Sequence, residues 1–225
     1  KGIFTICQKR EDNKCPPWTI KAKKITYDKI KKNIYYEHAT LKIYDVPVFY
    51  FPRFFHPDPS VKRQSGLLFP TYTSNSNLGI GLTTPYYWAI SHDKDMTFSP
   101  KFIEKEHILY LNEYRQSYES GSLVVDSSYT EGYKNTTSIK TAGSKSHIFA
   151  DLNLNFNNYE SYQGVLDLKI QHTSNNTYFR QYGLDTSLVS SENTNLQNKL
   201  KYTLNKDDTL FSLDVTVYED LRKSD

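Results

Sequence analysis

The residues able to do chemistry are few and scattered. Histidines stand at His38, His56, His92, His107, His147 and His172. None falls in the H-E-x-x-H spacing that sets two imidazoles on one helix face for zinc. There is no G-x-S-x-G turn to present a nucleophilic serine and no Gly-rich loop to cradle a phosphate. His147 and His172 lie near serines, which would suit a hydrolase built on strands, but scattered polar positions on a sheet are the commoner meaning. Cys7 and Cys15 have seven residues between them, and no further Cys or His is spaced to complete a zinc site. They are disulfide candidates, local or long-range, in an oxidising compartment, and structural thiols otherwise. The Asn-x-Thr at Asn135 carries meaning only in a source that glycosylates secreted proteins. No catalytic residue, metal ligand set or cofactor site emerges, and the chain reads as a non-enzyme.

Proline is the more informative punctuation. Residues 45–60 are compact, aromatic and Pro-rich; after Ser65-Gly66 the chain settles into long alternating strands that contain Pro70 and Pro85. Proline removes a ladder hydrogen bond, so inside a sheet it belongs to edges, bulges or places meant to part. Two of them, 15 residues apart, predict weak first and second strands joined by a turn near 73–77.

Composition bounds the rest. The 225 residues suffice for one large β domain or two smaller ones. Mean hydropathy is −0.66, and the longest apolar run, Val46–Phe51, is broken by Pro47, far short of the roughly 18–20 residues a spanning helix needs. Strands of a membrane barrel escape that test because they alternate. The 19 Tyr and 12 Phe suit strands and interfacial girdles alike. A net charge of +3 with no long Lys/Arg run gives no reason to expect nucleic acid. The chain opens on Lys1 and stops at Asp225 without a closing strand pattern, and is expected to be a piece of a longer protein.

Period-2 alternation dominates. Trp18–Asp28, Asn33–Tyr44 and a short, edge-like Val46–Pro52 suit part of a sandwich or jelly roll, and Arg53–Gln64 reads as a connector. Farther on, Ile148, Ala150, Leu152, Leu154 and Phe156 share one face against His147, Asp151, Asn153 and Asn155. Leu166, Leu168 and Ile170 oppose Asp167, Lys169 and Gln171; Phe211, Leu213, Val215 and Val217 oppose Ser212, Asp214 and Thr216. Strands of ten residues or more are nearer the ~9–11 of a membrane barrel than the ~5–6 of soluble sheets. Short turns near 91–95, 119–121, 157–160 and 205–208 alternate with connections near 73–77, 103–106, 130–146 and 172–195, the asymmetry of an outer-membrane barrel. Leu152, Leu154, Leu166, Leu168, Leu213 and Val215 are expected to face lipid, with Asp151, Asp167 and Asp214 facing water.

An ordered series of strings carries a family resemblance. Cys7, P-P-W-T-I-K-A (16–22), I-x-x-D (25–28) and D-V-P-V-F-Y-F-P (45–52) resemble the end of the periplasmic domain of the LptD family, the lipopolysaccharide-assembly proteins of the Gram-negative outer membrane. V-K-R-Q-S-G-L-L-F-P (61–70), L-T-T-P-Y-Y-W-A-I (82–90), D-K-D-M-T-F-S-P (93–100) and N-E-Y-R (112–115) resemble the opening of that family's barrel. The match is dense over 5–118, with Y-F-R-Q-Y (178–182) as an echo, and the HPDP and PYYW wording resembles alphaproteobacterial members.

The resemblance implies an all-β chain. Residues 1–60 would end a periplasmic jelly roll, a connector would run to 66, and 67–225 would form about nine antiparallel strands opening a large, here incomplete, outer-membrane barrel. It implies transport of lipopolysaccharide into the outer leaflet: acyl chains through the jelly-roll interior, glycan through the lumen, and exit sideways between first and last strands. Pro70 and Pro85 are the expected lateral-gate residues. The implied partners are lipopolysaccharide, the lipoprotein plug LptE, the periplasmic bridge protein LptA at an upstream jelly-roll edge, and membrane lipid. The implied location is the cell outer membrane, with the N-terminal part in the periplasm. In the family a cysteine at the place of Cys7 pairs with one near the barrel's C-terminus; a Cys7–Cys15 bond is the competitor. The alternatives are a soluble glycan-binding β-sandwich, favoured by strands of about six residues, and an outer-membrane lipase, which needs a Ser–His pair within hydrogen-bonding reach.

Overall fold

The computed structural model describes residues 2–4, 18–43, 46–61, 63–131, 143–158 and 162–222; Cys7, Cys15 and Asn135 lie outside them. The chain is all-β and antiparallel, and divides into two compact units between Gln64 and Ser65.

The first unit is a four-stranded sheet in the order β1 (Gly2–Phe4), β2 (Trp18–Asp28), β3 (Asn33–Ile43), β4 (Val46–Pro57). Two strands fall where alternation put them. The third runs to Pro57 rather than stopping at Pro52, so the connector is shorter than 53–64. Its aromatic residues explain this: Phe54 and His56 pack against Tyr36 across the ladder, with ring centroids 5.8 and 5.3 Å away. That packing outweighs Pro52, which sits on an edge strand where a missing donor costs least.

The inward face gathers Ile20, Ala22, Tyr36 and Ala39, with Ile34, Leu41, Phe51 and Phe54 against them. Strict alternation would not keep these on one side. Ala22, Ala39 and Phe51 pair across the sheet, as do Lys24, Glu37 and Arg53, while Lys23, His38 and Pro52 between them pair with nothing in the ladder. Each strand thus takes one extra residue at the same level, His38 with a φ of 50°, and the apolar face stays continuous.

The second unit is one sheet of long strands: β9 (Lys94–Ile103), β10 (Leu109–Tyr118), β11 (Gly121–Thr130), β12 (Lys145–Asn158), β13 (Tyr162–Thr173), β14 (Asn195–Lys206) and β15 (Thr209–Asp220), neighbours in sequence order. Ahead of them come two interrupted strands. The first is β5 (Gly66–Leu67) and β6 (Thr71–Asn75); the second is β7 (Gly79–Thr83) and β8 (Tyr86–Ala89). Counting each as one gives about nine strand courses, as expected from the alternation. Connections at 90–93, 119–120 and 207–208 lie at one end of the strands, with Asn158 and Tyr162. Those at 76–78, 104–108 and 174–194 lie at the other, with Thr130 and Lys145.

Register puts Leu152, Leu168, Leu200 and Val215 side by side on one face, where Val215 keeps 48% of its surface exposed. The opposite face carries Asp151, Lys169, Lys199 and Thr216 in the next row, and Asp167, Lys201 and Asp214 in another. Apolar side chains exposed on one face and charges lining the other is the reverse of a soluble sheet packed on a core. The strands of 10 to 14 residues also disfavour the glycan-binding sandwich.

Candidate functional site

Both prolines stand in interruptions of the first two strands, not inside paired segments as expected, and they stand at the same level. Along the second strand, Thr84 donates its amide to the Pro100 carbonyl at 3.1 Å. Alternate residues of a strand point their backbone groups to opposite sides, so Pro85 faces the first strand. Its carbonyl there accepts the Leu68 amide at 2.9 Å. The return bond, from residue 85 to the Leu68 carbonyl, cannot form because proline has no donor.

Pro70 marks the matching fault in the first strand. The pair Leu67–Tyr86 and the pair Thr71–Thr83 are out of phase by one residue, so the segment carrying Phe69 and Pro70 holds one residue too many: a β-bulge. Phe69 is held out almost fully exposed. A third proline, not singled out from sequence, continues the line. Pro100 in β9 faces Thr84, accepts its amide, and likewise returns nothing. The 15-residue spacing from 70 to 85 to 100 was the available signal. Three adjacent strands are therefore under-bonded in one band. The pairs β10–β11, β11–β12, β12–β13 and β14–β15 are unbroken, while the β13–β14 ladder ends at Lys169–Lys199 and the Gln171 and Asn198 side chains bond the backbone beyond it.

The polar face is built for water. Asp95 accepts from Arg115 Nε at 2.9 Å and from Tyr87 at 3.3 Å; Lys169 lies 3.8 Å from Asp151 and Lys199 3.9 Å from Asp214. At the end with the long connections, segment 174–194 folds back over this face. Its short helix α1 (Tyr178–Tyr182) presents Tyr178, Phe179 and Tyr182 at i, i+1 and i+4, and ends on Gly183 at φ 56°. These rings, with Leu184 and Val189, pack on Leu109, Phe149 and Leu196. Ser187 donates to Glu113 at 2.7 Å.

Beneath that helix lies the Ser–His pair that the lipase alternative called for. Ser128 Oγ is 2.6 Å from His147 Nδ1 and 2.6 Å from the Tyr178 hydroxyl, and His147 Nε2 is 2.5 Å from Asp126. One assignment satisfies the chain: Tyr178 donates to Ser128, Ser128 to His147, and His147 to Asp126. His147 is stacked on Phe149 at 4.5 Å and edged by Phe179 at 5.1 Å. Ser128 is 4% exposed with both partners on its hydroxyl, so it ties the folded-in segment to the wall and presents no open nucleophile. His172 falls on the other, apolar face opposite Ile148.

The first unit contributes an apolar track. Phe49, Phe51 and Phe54 follow one another at 4.7 and 5.1 Å between centroids along the inward face. The Tyr36 hydroxyl meets His56 Nε2 at 2.7 Å at its end. Burial pushes the Tyr36 phenol up to about 12.

The chain is similar to known proteins over most of its length. The family model described as LptD protein matches residues 34–220. The LPS-assembly protein LptD of Nitrosococcus oceani is 28% identical over 206 residues, 88% of this chain and 25% of the relative. That of Aeromonas hydrophila is 30% identical over 200 residues, 84% and 24%. That of Nitrosospira multiformis is 30% identical over 204 residues, 90% and 20%. The chain spans about a quarter of the length of these relatives.

Proposed function

The chain belongs to the LptD protein family, and from that premise we propose that it carries part of a route for lipopolysaccharide into the outer leaflet of the Gram-negative outer membrane. The relatives' name, LPS-assembly protein, supports this reading. In it, residues 1–64 belong to a periplasmic jelly roll and residues 65–225 open a membrane barrel. The Phe49–Phe51–Phe54 face accepts acyl chains, which need an apolar path. The charged inner face of β9 to β15 accepts the glycan, which needs a hydrated one. An upstream jelly-roll edge docks LptA, and the lumen admits LptE. The chemistry is transfer without bond-making.

The observation that carries the reading is the under-bonded band at Pro70, Pro85 and Pro100, which falls together in the first three strands of the sheet. Each missing ladder bond removes about 0.5–1.5 kcal/mol of net pairing. With Pro85's fault facing the first strand, that strand is the one loosened, and it swings as a flap on the second while the remaining strands hold. A lateral exit for a lipid requires such a flap at the barrel seam. The test replaces Pro70 and Pro85 together by valine in the full-length protein. Surface lipopolysaccharide is expected to fall with barrel levels unchanged. Undiminished surface lipopolysaccharide at normal barrel levels overturns the gate.

A further inference from the structure

We infer that the turn joining β2 to β3, residues 29–32, is a preformed contact for the phospholipid surface on the side of the membrane where the barrel's short turns lie. This rests on the reading of the second unit as a membrane barrel.

The turn presents Lys29, Ile30, Lys31 and Lys32 in a row. Ile30 is 95% exposed, a large apolar side chain left open among the described residues, and all three lysines beside it are exposed. The loop is held by hydrogen bonds of its own. The Asp28 carboxylate accepts the amides of Ile30 at 2.9 Å and Lys31 at 3.0 Å, Lys32 holds a left-handed φ of 50°, and its carbonyl accepts the Asp58 amide at 2.8 Å. A turn that spends several hydrogen bonds on holding an isoleucine outward has an apolar partner to meet. Flanking ammonium groups select a surface that is apolar beneath and anionic at its face.

The covalent chain limits how far the turn can lie from the second unit. Asn33, the residue after the turn, accepts from Gln64 Nε2 at 2.8 Å. Gln64 is two residues from Gly66, at most about 7 Å of extended chain. Gly66 begins the first strand at the end where the short turns 90–93, 119–120 and 207–208 lie. Short turns mark the periplasmic side of an outer-membrane barrel. The turn's carboxylates are committed elsewhere: Asp28 to its own backbone, Asp58 to the Ser60 amide at 2.8 Å.

The test places a photoreactive diazirine amino acid at position 30 of the full chain in vesicles of phosphatidylethanolamine and phosphatidylglycerol. The same residue at Val215, on the apolar barrel face, and at Glu37, on the first unit, serve as controls. Lipid adducts are expected at 30 and 215 and not at 37. Replacing Lys29, Lys31 and Lys32 together by glutamine is expected to cut the adduct at 30 at least tenfold, from roughly fivefold per lysine near an anionic surface, with the adduct at 215 unchanged. Adducts at 215 without any at 30 overturn this inference alone, as does a crosslink from 30 to polypeptide. No lipid at 215 overturns the barrel reading beneath it.

Discussion

Pro85 takes the amide of Leu68 at 2.9 Å and gives nothing back, so the first two strands of the long sheet share one hydrogen bond where a ladder pair exchanges two. Pro85's own fault lies between these strands; on the side of the second strand that pairs with β9, the missing bond is the one Pro100 does not return to Thr84. There Tyr86 to Ala89 keep an unbroken register with Asp95 to Phe98.

Replacing Pro85 by valine is expected to restore the missing donor. The new bond adds about 0.5–1.5 kcal/mol to pairing with the first strand. Hydrogen exchange at residues 66–71 should slow by about two- to tenfold, with β11 to β13 unaffected. Exchange at 66–71 unchanged by P85V would remove the proline from the account of this weak edge. The same replacement at Pro100 should instead protect 79–86.

The apolar face predicts an asymmetry between neighbours. Leu200 and Lys199 are adjacent in β14 and point to opposite faces. Leu200→Arg at mid-strand should cost roughly 2–4 kcal/mol against lipid. Lys199→Arg, on the watered face, should be within about 0.5 kcal/mol of the parent. Denaturant unfolding from vesicles reads both; equal costs would place the two residues in the same environment and contradict the facing.

Much of this was legible from alternation, because a strand buried or lipid-facing on one side writes its period directly into residue type. Leu152 and Asp151 were assigned to faces on that signal alone, and register then aligned Leu152 with Leu168, Leu200 and Val215. What alternation cannot carry is the residue that breaks it. The extra residues at Lys23, His38 and Pro52 act together across three strands, and a single strand's pattern contains no notice of its neighbours. The bulge before Thr71 is of the same kind. Ser128 and His147 are 19 residues apart and meet only through the β11–β12 register, which the long 131–144 connection leaves undetermined in sequence. The helix at 178–182 did leave a trace, its aromatic residues falling at i, i+1 and i+4 inside a stretch otherwise read as a connection.

The folded-in segment predicts a local opening. Phe179 is 3% exposed and packs on Phe149 and His147. Phe179→Ala should cost about 3–5 kcal/mol of packing, lost from the segment rather than the sheet, because β12 and β13 keep their ladder. Trypsin should then cut after Arg180, which is exposed on the helix, while the parent resists. Cleavage elsewhere in β10 to β15 would mean that the segment holds the sheet together rather than lying upon it.

The first unit carries an alkaline limit set by Tyr36. Its phenol sits on the inward face, 1% exposed, and burial raises it from its ordinary 10.0 to about 12. A raised phenol stabilises the fold fully below the unfolded value, where neither state has lost the proton. Between about 10 and about 12 the unfolded chain releases that proton and the folded one keeps it, so stability falls as pH rises through this window. Tyr36→Phe removes the titrating group and, with it, the hydroxyl's 2.7 Å contact to His56. The variant should therefore be less stable than the parent at neutral pH by about 1 kcal/mol, and should lose less stability than the parent between about pH 9 and about pH 11.5. Denaturant midpoints across that range measure both effects. Parallel curves for parent and variant would show that Tyr36 titrates as an exposed phenol and that the inward face is open to water at that end.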